Sequence, residues 1–281
     1  MPSQDKTLTT TTSCVVCGAR AFSPVITIAS WSVIECKECG HGVVANAPPQ
    51  QDLESLYDKV YFTTRYHSPL GPNGPAFARR IRQETHRIRF VNRFFRKGRL
   101  LDIGCGNGYF LFAARKAGLQ AVGFDVTETN RHYIESELGG ELLVGDVKSL
   151  PLAPDSFDVI TLWHTLEHHQ SPSDTIQQCL QWLKKKGVLI VEVPNHHSID
   201  ARKYGPTWPN WDLPFHLHHF SEGSLRRLLQ QAGLPIIAKK TYHSEYIRER
   251  LNETVVLKPF ARMIASWYRG GSLLVACRRQ Q

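Results

Sequence analysis

Leu100-Leu-Asp-Ile-Gly-Cys-Gly-Asn-Gly-Tyr-Phe110 is the stretch whose reading decides the fold. Leu100 to Ile103 forms a short apolar strand, Gly104-Cys105-Gly106-Asn107-Gly108 a tight turn, and Tyr109 to Lys116 a helix. Strand, glycine turn and helix make the first half of a nucleotide-binding βαβ unit, where glycines let backbone approach a ligand that side chains would exclude. A second strand, Gln120 to Phe124, ends in Asp125, 21 residues after Gly104. A carboxylate at that distance suits hydrogen bonding to both ribose hydroxyls. The run is GxGxG, with Tyr109 at the position of the third dinucleotide glycine, and Asp102 before it would repel a pyrophosphate. An acid there suits a ligand that carries positive charge. The bland alternative is a glycine turn that only connects strand to helix; the spaced Asp125 weighs against it.

The sulfonium and amino groups of S-adenosylmethionine (SAM) supply such a charge. Leu100 to Phe110 resembles motif I of the class I SAM-dependent methyltransferases, and Val122-Gly-Phe-Asp125 their second motif. Gly145-Asp146-Val147, followed by Leu150-Pro151, resembles the segment that reads adenine. Ser156 to Ile160 resembles the fourth strand and Leu183-Lys-Lys-Lys-Gly187 the basic turn before a fifth, Val188 to Val193. The resemblance covers about Arg99 to Asn195. It implies an α/β fold, a doubly wound seven-stranded Rossmann-like methyltransferase sheet over 99–281. It also implies SAM contacts at Gly104, Gly106, Asp125, Asp146 and Val147, to which their neighbours Asp102, Gly108 and Val126 are added.

Outward toward the N-terminus stand Cys14-Val-Val-Cys17-Gly18 and Cys36-Lys-Glu-Cys39-Gly40, with 18 residues between Cys17 and Cys36. Two residues between cysteines let both thiolates reach one metal, and the following glycine permits the positive φ of such a knuckle. Four thiolates suit tetrahedral, structural zinc and leave no open position for chemistry. Val25 to Ile28 and Trp31 to Ile34 are the two strands of a ribbon over 14–45. A redox CxxC would need one pair beside a βαβ unit. His41 is a spare candidate ligand, taken as unligated. The clustering argues against disulfides and for a reducing compartment. Met1 to Ser13 is polar and lacks a secretory signal, which predicts a cytoplasmic protein with a frayed, disordered start at 1–13. No apolar run reaches membrane-spanning length.

Residues 46–98 read as a helical linker and substrate cap, with a short helix over Leu53 to Phe62 and a breaker-rich loop from Ser68 to Pro75. Between Arg79 and Arg99 lie nine cationic residues against one acid, Glu84. Ile81, Ile88, Val91 and Phe95 recur at helical spacing within it, so one amphipathic helix with a basic face is predicted. That face is either solvated or docks an anionic substrate, carrier or nucleic acid. Near the C-terminus, Pro235 to Thr241 and Ser272 to Arg278 read as sixth and seventh strands around a basic amphipathic stretch, Tyr242 to Arg269. That stretch is read as a packed helix, with a lid, a dimer surface or a membrane-surface contact as alternatives.

Two segments belong to the reacting end. His164, Glu167 and His168 spell HxxEH, but at a strand end and not on the helix a zinc protease needs. The segment resembles the ExxEH stretch of ubiquinone-pathway O-methyltransferases, associated there with a divalent cation, with His164 in the place of a Glu. Otherwise His164 or His168 deprotonates or positions an acceptor hydroxyl, or Glu167 and His168 only brace the cofactor loop. Trp208 to Ser221 gathers four aromatics and three histidines before a helix capped by Ser221. It resembles the HLxHFS segment of bacterial methyltransferases acting on sugars and related small molecules, matched by His216 and His219. Either is read as a general base, against a role in capping the helix. Ribbon plus core resembles the N-terminal part of deoxysugar C-methyltransferases. The reading is methyl transfer to a small-molecule acceptor, a sugar hydroxyl or carbon, in glycan or secondary-metabolite biosynthesis. An anionic or carrier-linked acceptor suits the basic stretch. The alternatives are a ribosomal RNA base methyltransferase, which the zinc module and basic helix suit, and a non-catalytic SAM-binding protein.

Overall fold

The computed structural model describes residues 9–49 and 69–279. The strands, in chain order, are β1 (Thr9–Thr10), β2 (Phe22–Ile28), β3 (Trp31–Cys36), β4 (Gly42–Val44) and β5 (Asn46–Ala47). Then follow β6 (Arg99–Ile103), β7 (Gln120–Asp125), β8 (Leu142–Val144), β9 (Phe157–Trp163) and β10 (Leu183–Pro194). The last are β11 (His218–His219), β12 (Ile236–His243) and β13 (Arg269–Cys277). The helices are α1 (Pro75–Gln83), α2 (Thr85–Val91), α3 (Tyr109–Lys116), α4 (Pro172–Trp182), α5 (Ile199–Tyr204), α6 (Glu222–Gln231), α7 (Glu245–Asn252) and α8 (Ala261–Ala265).

Among the described residues seven strands form one sheet in the order β12-β13-β10-β9-β6-β7-β8. β6, β7, β8, β9 and β10 are parallel and β13 is antiparallel. The alternation of strand side chains explains the two-sided core. Leu101, Ile160, Leu162 and Val191 fall on one face, with Ile176 and Leu180 of α4 and Leu225 and Leu229 of α6. Leu100, Val159 and Ile190 fall on the other, with Val91 of α2 and Phe110 and Ala114 of α3. The order reverses between β6 and β9, so the loops after their carboxyl ends flank the crevice where such sheets bind ligands.

The ribbon is not a separate bead. Its strands β2, β3 and β4 continue into β11, so the sheet order is β11-β4-β3-β2. His218 pairs with Val43 and His219 with Gly42. Cys14, Val16 and Cys36 belong to the same buried cluster as Phe220, Leu225 and Leu229. The 14–45 boundary therefore runs through a shared sheet, and residues 9–10 of the segment expected to be frayed pair with β5.

Three expectations differ from the structure. The basic stretch is two helices that break at Glu84, and it has left helical conformation before Gly98, where φ is +124°. Glu84 is buried and draws Arg80 and Arg87 into ion pairs, so part of the basic face turns inward. The Lys184–Gly187 turn lies within β10, which carries a register shift between Leu183 and Val188; Lys184 pairs with Asp158 at 2.8 Å. Tyr242–Arg269 is not one helix but α7 and α8 with a 3-10 turn at Lys258–Phe260. The expected helix at Leu53–Phe62 lies outside the described residues. Among the described residues no helix is long and apolar enough to cross a membrane.

Candidate active site

The turn after β6 has the conformation its glycines allow. Gly104, Gly106 and Gly108 adopt φ of +73°, +53° and +72°. A Cβ on Gly104 would run into the Thr165 side chain, so the turn closes against the loop after β9. Asp125, at the end of β7, accepts from the Gly106 amide at 3.0 Å and the Thr127 amide at 3.3 Å. Burial raises its pKa against the pull of those amides. Val126 beside it is 66% exposed, an apolar side chain left open where a nucleoside face would lie. Asp146 is exposed and accepts from the Lys148 amide at 3.0 Å; Val147 is buried. Asp102 sits beneath the turn, 2% exposed, and accepts from the Thr161 hydroxyl at 2.7 Å. Burial pushes its pKa up to about 7, opposed by that hydroxyl. Its carboxyl meets protein rather than the open cleft. Asn107 Oδ1 in the turn is buried with no hydrogen-bond partner among the described residues, an acceptor left for a ligand's donor. The open turn, this orphan acceptor and the exposed Val126 all fit the SAM expected from the sequence.

Across the crevice, β9 ends at Trp163, and His164 takes the left-handed φ of +52°. Its Nδ1 lies 3.4 Å from Glu167 Oε1 and its Nε2 3.4 Å from Glu192 Oε1. Burial would discharge this imidazole, but the two carboxylates outweigh that and raise its pKa to about 9. His164 is thus a cation at neutral pH, suited to orienting and not to taking a proton. Burial would also raise Glu192, yet His164 and Arg87 bring it down to about 2. Arg87 Nε donates to Glu192 Oε2 at 3.1 Å and its guanidinium covers the Trp163 ring at 4.9 Å. Glu192 was not singled out in the sequence. The signal is a lone acid in the middle of the apolar run Leu189 to Val193, a position where a charge needs partners.

The histidine loop approaches from the other side. One ligand atom each of Glu167, His168 and His216 lies within 4.8 Å of the others. His168 Nδ1 donates to Phe215 O at 3.0 Å. Burial and the neighbouring His216 hold its pKa down to about 3. His216 Nδ1 donates to Asn210 O at 2.8 Å, which leaves Nε2 as the proton-accepting nitrogen, 3.8 Å from Asp212 Oδ2. His219 is 1% exposed, packs against Trp211 with ring centroids 5.0 Å apart, and has neither ring nitrogen hydrogen-bonded among the described residues. Burial and His196 keep it well below its ordinary pKa, so it is neutral. His218 is tied to the ribbon: its Nε2 donates to Gln170 O at 3.3 Å, and its Nδ1 accepts from His41 Nε2 at 3.0 Å. His41 is thereby committed to His218. Glu35 of β3 adds a second tie to His197 and, at 3.6 Å, to His196.

The four ribbon cysteines converge. All four Sγ atoms lie within 4.8 Å of one another, with separations of 3.6 Å for Cys14–Cys39 and 3.5 Å for Cys17–Cys36. Thiolates at ~2.3 Å from a tetrahedral zinc stand roughly 3.8 Å apart, so the cluster fits that ion. Gly18 and Gly40 after the pairs have φ of +75° and +68°.

A doubly wound sheet with an open glycine turn, an acid ending its second strand and a polar pocket across the switch point defines a nucleotide-cofactor domain. A methyltransferase domain model matches residues 76–239, and the chain belongs to that family. It is 25% identical over 138 residues to a probable S-adenosylmethionine-dependent methyltransferase of Mycolicibacterium smegmatis, covering 49% of this chain and 52% of that one. It is 34% identical over 169 residues to the ubiquinone biosynthesis O-methyltransferase of Haemophilus ducreyi, covering 54% and 71%. The chain spans about half the length of the mycobacterial proteins it matches, 52% and 54%. Among solved structures, the 1,6-didemethyltoxoflavin-N1-methyltransferase of Burkholderia thailandensis superposes with a TM-score of 0.53 at 15% identity, over 92% of this chain and 99% of that one. A SAM-dependent methyltransferase of Thermotoga maritima gives 0.56 at 18%, over 80% and 99%. These two show a shared fold.

Proposed function

We propose that this protein transfers the methyl group of SAM to a hydroxyl of a small, sugar-like acceptor, with His216 as the proton acceptor. The observation that carries this is the convergence of Glu167, His168 and His216 at the switch point of a methyltransferase sheet. Bound SAM would supply an electrophilic methyl; Gly104, Gly106, Gly108, Asp125, Val126, Asp146 and Val147 would hold it, with Asp102 beneath the turn. His216 has its tautomer fixed by Asn210 O, its Nε2 lies 3.8 Å from Asp212 Oδ2, and it clusters with Glu167 and His168. An oriented imidazole with a proton-accepting nitrogen is the arrangement general-base catalysis needs. His168, whose pKa is held down to about 3, accepts a hydrogen bond better than a proton and would orient the acceptor, as would the His164 cation. His219 lies behind this group and supports it. The homologous ubiquinone O-methyltransferase is named for a hydroxyl acceptor, in keeping with this chemistry. The four cysteines would hold structural zinc and, through β4, fix the histidine loop.

His216→Asn is expected to lower turnover about 100-fold or more with S-adenosylhomocysteine affinity unchanged, whereas His219→Asn costs less than about tenfold. A screen of sugar acceptors with labelled SAM reads this. Full activity in the His216→Asn variant removes the assignment. A second reading, RNA as acceptor, is favoured by the exposed Arg79, Arg82, Arg93 and Arg96. It requires RNA binding that falls steeply with salt, and no binding at low salt eliminates it.

A further inference from the structure

Most surface segments bury their large apolar side chains and expose small or charged ones. The segment after α7 does the reverse. The buried residues of α8 are Ala261 and Ala265. Outward stand Phe260 at 52%, Met263 at 54% and Trp267 at 75% exposed, with Val255 at 87%, Val256 at 77% and Tyr268 at 41%. Seven of the eleven exposed large hydrophobic residues among those described fall between 255 and 268. Residues 254–268 contain no acid, and Lys258 and Arg262 project from among the apolar groups. Neither forms an ion pair among the described residues.

The acids of the adjoining α7 segment are taken up locally, Glu245 by Arg248 and His243, Glu249 by Tyr204 and Glu253 by Arg250, while two other elements add cations. Arg89 of α2 is exposed, and Lys240 of β12 is half-buried over the Tyr242 ring at 4.9 Å. His86 of α2 packs edge-on against Tyr242 of β12 with ring centroids 5.7 Å apart, and the Ser244 amide just after β12 donates to Ala265 O of α8 at 3.1 Å, which brings these elements together. An apolar ridge with aromatic residues at its crest and unpaired cations around it matches what binds at a lipid–water interface.

We propose that residues 254–268, with Arg89 and Lys240, form a docking surface for the face of an anionic lipid bilayer. A second copy of the chain is a poorer occupant. A two-fold contact sets the same patch against itself, and Arg262, Lys258 and Lys240 would then face their own equivalents. A polyanion without an apolar phase would leave Val255, Met263 and Trp267 in water. A bilayer takes the apolar crest into its boundary region and the cations against its headgroups. The proposal stands independently of the acceptor assigned above.

Flotation of the whole protein with vesicles of equal parts phosphatidylglycerol and phosphatidylcholine tests this, against vesicles of phosphatidylcholine alone. Binding to the anionic vesicles in low salt is expected, at least about tenfold stronger than to the neutral ones. The paired substitution Phe260→Ser and Trp267→Ser should weaken it about tenfold or more. Lys258→Ser with Arg262→Ser should do the same through charge, and as these side chains are exposed both variants should keep the parent melting temperature and S-adenosylhomocysteine affinity. Absence of flotation in low salt overturns the proposal, as does flotation that neither pair of substitutions changes. A dimer, seen by light scattering and dissolved by Phe260→Ser with Trp267→Ser in the absence of vesicle binding, assigns the ridge to a second copy instead.

Discussion

The proposed cofactor side and the proposed acceptor side of this crevice are built in opposite ways. The cofactor side is local: the turn at Gly104–Gly108 and Asp125 come from two consecutive strands and the helix between them. The acceptor side is assembled from afar. His41 meets His218 across 177 positions, Arg87 meets Glu192 across 105, and Gly42 pairs with His219. A local site depends on backbone conformation, while an assembled one depends on everything that holds its pieces in register.

The sharpest way to break this contrast is to disable the four-cysteine cluster proposed to hold zinc. Structural zinc sites contribute about 10–16 kcal/mol in isolated fingers, comparable with a typical domain's whole stability of about 5–15 kcal/mol. Cys36→Ser is therefore expected to release β2–β4 and with them β11, abolishing turnover. S-adenosylhomocysteine should still bind, because the glycine turn draws nothing from the ribbon. Calorimetry on the variant reads both, and loss of cofactor binding along with turnover would erase the distinction.

Gly104→Val attacks the other side. A branched side chain at φ +73° that overlaps Thr165 should lower S-adenosylhomocysteine affinity at least about tenfold, given a left-handed cost of roughly 1–2 kcal/mol before any clash. The histidine loop should stay ordered, which hydrogen exchange at residues 215–221 would report.

The smallest effect concerns the ion group between the two halves. The pKa of His164 is raised in the folded state, so its contribution to stability is present below about 6.5, its unfolded value, and is lost as pH rises through about 9. The melting temperature should fall between pH 7 and 10 more in the parent than in His164→Asn. Parallel curves would show that His164 is not held as a cation.

The same contrast explains what could be read from the sequence. The glycine turn, α3 and the Ser221 cap lay at fixed local offsets, and each element is present with bounds within a residue or two. The cysteine spacing likewise announced its own convergence. The break at Glu84 was hidden because helical periodicity of Ile81, Ile88 and Val91 carries no sign of a buried acid gathering two arginines. The union of β4 with β11 was equally hidden, since two residues of strand, His218–His219, leave no alternating pattern to detect. The proposed base is hard to name for the same reason. Asp212 is a local neighbour of His216, but Glu167 and His168 join it only once the loop after β9 and the tryptophan-rich loop are together.

The shared β11–β4 edge also bears on how this protein could be re-engineered. Grafting its histidine loop onto another methyltransferase core would transplant one edge of a sheet without the strands it hangs from. A transferable unit would have to include residues 14–47 together with 208–221, two segments far apart in the sequence but joined in one sheet.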